Sequence, residues 1–448
     1  MSYYVVRRTG QLIVFLGLAF VLAQQAKAAE KWWNAQWEMR IPIAVSASSG
    51  ITPNRPVVIS WADVAARLGG EDVRLGSLRL VRDGKSMPFQ LDHRDSTGRF
   101  LPPGDLRLAP TDELVFTAPS DRRTVSYLYL SRSPVPPVAF ASGVSVTPIR
   151  DGQAHQRLST AGLSIDVQGP GPLDPATVSA ANHGRASVVG MTWKGLTLTG
   201  QSSNWSVVMN SPPFPTAEGD CWRTVKLLVD GPVRKVVTTG CAGSTVKNAD
   251  GSVALAADVT RYFSMFSGVP LYDVEDVVEC TAAQGEWTGI YADRLILGHR
   301  PQLDDVLIDG SSGTPVRVAL TDKSIPQIAD GRFDGSGGLV QSKEVVDGWY
   351  AWLNEKDKLG VAVFYGAKQG GKPRPEQMQY GSGWAMWHFD NWVTFAYTGL
   401  QSSATLRHRF RVAALEPPSV ESIAAEYRLW ENDMEGLVAV GVVERRAK

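Results

Sequence analysis

The chain has 448 residues, with 45 basic and 45 acidic side chains, a formal net charge of zero and no block of Lys or Arg. That balance excludes nucleic-acid binding through a charged face. Three cysteines, Cys221, Cys241 and Cys280, exclude more than one internal disulfide, and the length allows two or three domains with ample cores.

The first segment reads as an export signal. Arg7 and Arg8 precede an apolar or glycine run from Leu12 to Ala23, and Ala26-Lys27-Ala28 stands ahead of Ala29. This is the charged, apolar and small-residue order of a secretory leader. The run of 12 residues is short of the roughly 20 that cross a bilayer, so cleavage after Ala28 is expected rather than a permanent anchor. No cysteine follows the run to carry a lipid. The expected location is the periplasm or the cell exterior, with no membrane anchor after cleavage.

Beyond residue 28, short alternating or β-branched runs bounded by Gly, Pro, Asp and Asn recur, among them Leu78–Val81, Val125–Leu130, Val361–Tyr365 and Leu406–Val412. This is the pattern of antiparallel sandwiches and predicts an all-β fold. A small β-sandwich is expected over 29–133. Ser60 with Asp63 signals a capped helix that Gly69 and Gly70 end. The Pro-rich stretch 131–137 then breaks the chain, because proline cannot donate to a central ladder. A larger β-supersandwich is expected over 138–415.

Within that larger domain, Trp222–Gly240 reads as a hairpin around Asp230-Gly231-Pro232. If those three form the loop, Trp222 faces Gly240 and Cys221 faces Cys241, close enough for a disulfide, which leaves Cys280 as a buried free thiol. Further on, Asp273, Glu275 and Glu279 form an acidic stripe alternating with Tyr272, Val274, Asp276, Val278 and Cys280, while Arg407, Arg409 and Arg411 alternate with Leu406, His408, Phe410 and Val412. The two strands are expected to pair their charges, at about 0.2–1 kcal/mol per pair; a charged substrate groove is the alternative. His408, alone on an apolar face, reads as a hydrogen-bonded core residue.

Of 14 tryptophans, Trp384, Trp387 and Trp392 crowd into one segment with His388 and Asp390. Strand alternation puts Trp384, His388 and Asp390 on one face: a stacking ring, an imidazole that titrates near neutrality and a carboxylate to orient it. An aromatic core strand with a satisfied histidine is the competing reading. Tyr380 lies just before this strand, and His183 in the polar turn Asn182–Arg185 could reach a site mouth. No His or Cys pair stands at zinc spacing. The acidic loop Asp330–Gly338 could hold calcium but lacks the calcium-loop ligand order and reads as a turn; no nucleotide or organic cofactor is implied. No Gly-x-Ser-x-Gly elbow occurs, which argues against serine hydrolase chemistry of that class. The end of the chain, 416–448, is expected to form a helix and a tail, with Val420, Ile423, Ala424, Tyr427 and Trp430 on the docking face and Glu421, Arg428 and Glu431 outward.

Trp37–Ile43 (WEMRIPI), Met87–Gln90 (MPFQ) and Asp112–Phe116 (DELVF) resemble the amino-terminal β-domain of secreted bacterial carbohydrate-active proteins, among them exo-acting rhamnogalacturonan lyase-like ones. Asp230–Arg234 (DGPVR), Thr260–Phe263 with Gly268–Pro270, and Gly348–Trp352 (GWYAW) are similar to a galactose-mutarotase-type supersandwich, the fold of several polysaccharide lyases. The resemblance implies a polysaccharide or oligosaccharide partner and transfers no catalytic set residue by residue. A lyase acting on a uronic-acid polymer must neutralise a carboxylate, remove the adjacent proton and protonate the leaving oxygen. The matching strands offer Arg234 and Arg261 for the first task, with His388, Tyr262 and Tyr380 as acid or base and Trp384, Trp387, Asp390 and His183 as sugar-binding groups. A glycoside hydrolase would use two carboxylates from Glu275, Glu279, Glu286 and Asp390. The third alternative is a sugar-binding or structural surface protein without turnover.

Overall fold

A computed structural model describes residues 32–47, 52–69, 75–102, 108–132, 135–136, 138–150, 153–167, 188–199, 204–206, 224–247, 250–283, 290–297, 305–308, 316–319, 339–340, 349–354, 358–365, 372–381, 388–396, 405–416, 419–432 and 437–446. The leader 1–28, Cys221, His183, Glu286, the loop 330–338, Trp384 and Trp387 lie outside these residues. The protein is all-β. In chain order come β1 (Met39–Val45), β2 (Asn54–Ser60), helix α1 (Trp61–Leu68), β3 (Leu78–Arg82), β4 (Lys85–Met87), β5 (Phe89–Asp92), β6 (Glu113–Pro119) and β7 (Thr124–Leu130). Next are β8 (Ser145–Arg150), β9 (Gln153–Thr160), β10 (Leu163–Val167), β11 (Val188–Trp193), β12 (Leu196–Thr199), β13 (Asn204–Ser206), β14 (Val225–Asp230), β15 (Arg234–Lys247), β16 (Val253–Phe266) and β17 (Leu271–Ala283). They are followed by β18 (Ile290–Leu297), β19 (Asp305–Ile308), β20 (Val316–Ala319), β21 (Leu339–Val340), β22 (Trp349–Asn354), β23 (Leu359–Tyr365), β24 (Lys372–Gly381), β25 (His388–Ala396) and β26 (Thr405–Leu415). Helix α2 (Val420–Glu431), β27 (Val438–Val440) and β28 (Glu444–Arg445) close the chain.

The chain divides into two compact units, one of residues 1–141 with 428–448 and one of 142–427. In the first, a sheet ordered β27-β1-β7-β3-β4, with β28 also on β1, is joined by a three-stranded sheet ordered β2-β6-β5. Alternation explains the layering. Met39, Ile41, Ile43 and Val45 of β1 enter one core with Val57 and Ile59 of β2 and Leu114, Phe116 and Ala118 of β6, all buried. Fully burying each such side chain is worth about 1.5–3 kcal/mol. On the other face of β1, Arg40 stacks over Trp32 and Tyr127, with centroids 4.8 and 4.3 Å away, and bonds Glu444 of β28 at 2.6 Å. The carboxyl-terminal residues thus complete the amino-terminal sheet: Ile43, Ala44 and Val45 pair with Val440, Ala439 and Val438.

Helix α1 begins at Ser60, whose Oγ accepts from the Ala62 amide at 3.2 Å, and ends at Gly69 with φ of 64°. That left-handed geometry suits a residue without Cβ. Helix α2 starts at Ser419, whose Oγ accepts from the Ser422 amide at 3.1 Å. Ile423, Tyr427 and Trp430 are buried as the apolar spacing predicts, and Glu421 and Arg428 are exposed. Glu431 departs from the expected outward position and is buried, as is Glu426.

Among the described residues, the second unit holds three antiparallel sheets: five strands ordered β12-β11-β10-β9-β8, nine ordered β14-β15-β16-β17-β26-β23-β22-β19-β20, and five ordered β13-β18-β25-β24-β21. Thr160 of β9 ties the first of these to the second, donating from Oγ1 to the Phe266 carbonyl at 3.0 Å and accepting from the Gly268 amide at 3.2 Å.

Candidate functional site

The nine-stranded sheet carries the buried charged residues Arg234, Arg261, Asp276 and Arg411. The acidic and basic stripes are neighbours, with Asp273 opposite Arg411 and Glu275 opposite Arg409. Arg411 grips Asp273 through two bonds of 2.6 and 2.9 Å and reaches Glu426 of α2 at 3.4 Å, while Arg407 pairs with Glu275. Asp273 and Glu275 are thus each paired with an arginine of β26, as expected of a cross-strand ladder.

Arg261 of β16 lies opposite Asp276, one position along β17 from Glu275, and therefore on the other face of the sheet from this ladder. Its Nε and Nη2 donate to the two carboxylate oxygens of Asp276 at 2.7 Å each, and both side chains are 0 % exposed. Burial pushes the Asp276 carboxyl above its ordinary range, with the Arg261 charge and its hydrogen bonds opposing. His408 stands opposite Asp276 in the ladder of β17 and β26. By register Arg234 lies opposite Phe266 and Thr238 opposite Tyr262, so Arg234 and Tyr262 share a face that Arg261 does not. The Arg234 guanidinium lies over the Phe266 ring at 5.8 Å, and Arg234 and Tyr262 are each 3 % exposed. The expected convergence of Arg234 and Arg261 on one concave face is therefore corrected. The spacing from 234 to 261 crosses a hairpin whose register puts them on opposite sides, and the Asp276 partner consumes the second guanidinium.

The hairpin register also differs from expectation. Val225 was expected opposite Val237 and pairs with Thr239, two residues further on, and a bulge between Leu227 and Val229 shifts the ladder again before Asp230 meets Lys235. The turn closes with the Gly231 amide donating to the Arg234 carbonyl at 3.2 Å, so it takes more residues than Asp230-Gly231-Pro232. The register over Val225–Asp230 is thus not the one from which a Cys221–Cys241 bridge was argued, and Cys221 itself lies outside the described residues. Cys280 is buried and free, and burial raises its thiol pKa.

His388, Asp390 and Tyr380 belong to a different sheet, the five-stranded one centred on β25, where residues are placed by register. His388 lies opposite Gly381, Phe389 opposite Tyr380 and Asp390 opposite Gln379. Tyr380 therefore shares the face of Phe389, and His388 and Asp390 take the other. On the β18 side, Leu297 faces Phe389, Ile296 faces Asp390, Leu295 faces Asn391 and Arg294 faces Trp392. One face thus collects Leu295, Leu297, Phe389, Val393, Phe395 and Met378 together with Asp293, Asn391 and Tyr380, and the other His388, Asp390, Trp392, Gln377, Gln379 and Arg294 together with Ile296. Alternate positions are about 7 Å apart along a strand and neighbouring strands about 4.8 Å apart, so these polar residues occupy a patch the size of a few sugar rings.

The geometry brings His388 and Asp390 together with Trp392 on one sheet, and Arg234, Arg261 and Tyr262 lie on another, the nine-stranded one. Arg294 was not anticipated from the sequence; its only signal is the alternation with Leu295 and Leu297, which marks a strand but not a site. Among the described residues no group of three or more His, Cys, Asp or Glu is arranged to hold a metal, and no helix is long and apolar enough to cross a membrane.

No protein-family model matches the chain, and no curated protein matches it. Among solved structures it is similar to a protein in the glycosyl hydrolase family 38 from Enterococcus faecalis, with TM-score 0.48, 8 % identity and coverage of 91 % of this chain and 48 % of that one. It is also similar to an α-mannosidase from Enterococcus faecalis V583, with TM-score 0.48, 9 % identity and coverage of 91 % and 46 %. An α-N-acetylgalactosaminidase from Bifidobacterium bifidum gives TM-score 0.39, 13 % identity and coverage of 62 % and 39 %. The chain spans about half the length of the first two. Likenesses at this level identify neither a fold family nor an activity.

Proposed function

We propose that the protein is an exported, carbohydrate-active protein that handles an acidic glycan on the polar face of the five-stranded sheet, and that its reaction is β-elimination of a uronic-acid polymer. The observation that carries this reading is the placement of His388, Asp390 and Trp392 at alternate positions of β25, a strand bordered on both sides by paired strands of its sheet. The sequence resemblance to lyase-like proteins with a galactose-mutarotase-type domain supports the substrate class.

In the elimination, a base takes the proton on the carbon beside the carboxylate, and the electron pair forms a carbon–carbon double bond. The bond to the leaving oxygen then breaks, and a proton is returned to that oxygen. His388 suits the proton transfers because imidazole titrates near neutral pH, Asp390 two positions away suits its orientation, and Trp392 offers a stacking surface. The test is incubation of the exported protein with polygalacturonate and other acidic glycans. Absorbance in the ultraviolet band of unsaturated uronates supports the reading; new reducing ends without that absorbance overturn it in favour of hydrolysis.

Binding without turnover is the second reading. It is favoured by the burial of Arg234, Arg261 and Tyr262 and by the placement of Tyr380 with Phe389, which leave His388 without the partners an eliminating centre was expected to draw from those residues. Retention on an acidic glycan with neither absorbance nor reducing ends is its signature.

A further inference from the structure

The face of the five-stranded sheet that holds His388 and Asp390 is cationic by position. Arg294 of β18 lies directly opposite Trp392, and on the other side of β25 Arg374 of β24 lies opposite Thr394 and Lys372 opposite Ala396. Because Trp392, Thr394 and Ala396 alternate in phase with His388 and Asp390, these three cations share their face. Three basic positions thus stand with a single carboxylate, Asp390, among the paired residues of that face. A sheet face that merely keeps a protein in solution intersperses both signs; this one is biased, and the bias surrounds the tryptophan. Cross-strand neighbours are about 4.8 Å apart, so the Arg294 and Trp392 positions span less than one sugar ring. A uronate needs both residue types at once. Its carboxylate is matched by the planar two-pronged guanidinium, and the apolar side of its ring by an indole.

We infer that Arg294 and Arg374, on the two strands flanking β25, are the carboxylate-recognising residues of this site, and that its ligand is a polyuronate rather than a neutral glycan. The inference rests on the glycan reading of the face but not on the reaction assigned to it. Arg261 and Arg411, each committed to a carboxylate of the nine-stranded sheet, have no part in it.

The experiment compares binding of polygalacturonate with binding of the same polymer fully methyl-esterified, which keeps the sugar backbone and removes the charge. The wild-type protein is expected to bind the free acid at least about 10-fold more tightly, as charge-assisted hydrogen bonds allow. Arg294→Gln and Arg374→Gln are each expected to lower affinity for the acid by about 10- to 100-fold and to leave the ester unchanged. Arg294→Lys, which keeps the charge and loses the fork, should fall between. Near-ultraviolet circular dichroism confirms that the sheet is folded in each variant. Equal losses for acid and ester, or no loss for either, overturn the inference. If His388→Ala abolishes turnover while the arginine variants keep the preference for the acid, the reaction stands and this inference fails. If the preference is lost in the arginine variants and the wild type produces no unsaturated product, the inference stands and the reaction fails. A wild-type protein that binds neither polymer overturns both.

Discussion

Arg261 and Asp276 face each other across β16 and β17 and close a two-pronged ion pair with both N–O distances at 2.7 Å and neither side chain exposed. Such a pair holds the strands in register, and it keeps a guanidinium that looked available for substrate out of reach of any glycan. Taking two charges out of water is costly, and the bonds between them return that cost only while both partners are present.

Breaking the pair should therefore be far more damaging than replacing it. Asp276→Ala or Arg261→Ala is expected to lower stability by about 3–5 kcal/mol, because each leaves a buried charge alone, whereas the double change Arg261→Met with Asp276→Leu should be close to neutral. Urea unfolding of the three variants checks this. Single variants that unfold at the wild-type midpoint would show that the pair is solvated.

The amino-terminal sandwich makes a second set of expectations. Ile41 is fully buried between the two sheets, so Ile41→Ala should cost about 2–5 kcal/mol. Ser60→Ala at the start of α1 removes one bond to the Ala62 amide and should cost about 0.5–2 kcal/mol. Denaturant titration of both variants tests the ranking, and a larger loss at Ser60 than at Ile41 would contradict it.

Cys280 gives a pH dependence whose sign is fixed. Burial raises its folded-state thiol pKa, so the neutral thiol is favoured in the folded protein. An unfolded thiol titrates near about 8.5. The contribution is complete below that pH and is lost as pH rises from it through the higher folded value. Unfolding midpoints at neutral and alkaline pH, compared between wild type and Cys280→Ala, should show a loss above about pH 8.5 that the variant lacks. Equal slopes in the two proteins would contradict the burial of the thiol.

The sequence carried the fold class and several local features because those depend on short-range periodicity. Alternating runs mark the strands, Ser60 and Gly69 bracket a helix, and the opposed stripes of 273–279 and 407–411 announce a pair of neighbouring strands. What spacing does not encode is which face a residue takes once a hairpin has chosen its register. A turn longer than Asp230-Gly231-Pro232 and a bulge after Leu227 put Thr239, not Val237, opposite Val225. The same long-range pairing separated Arg234 from Arg261 and gave Arg261 to Asp276, a residue whose alternation with apolar neighbours made it look like one more strand position. His388 and Asp390 were legible as a pair because two residues on one strand need only local alternation. Arg294 was not, because its link to Trp392 exists only after β18 and β25 have met.

The central claim concerns the polar face of that sheet, and its most direct measurement is the initial rate of unsaturated uronate formation from polygalacturonate by the wild type and by His388→Ala. The account predicts a steady rise in absorbance for the wild type and a rate lower by about 10²–10⁴ for the variant, the range that removing a general acid or base produces. Equal rates in the two proteins, or no unsaturated product from the wild type, would contradict it.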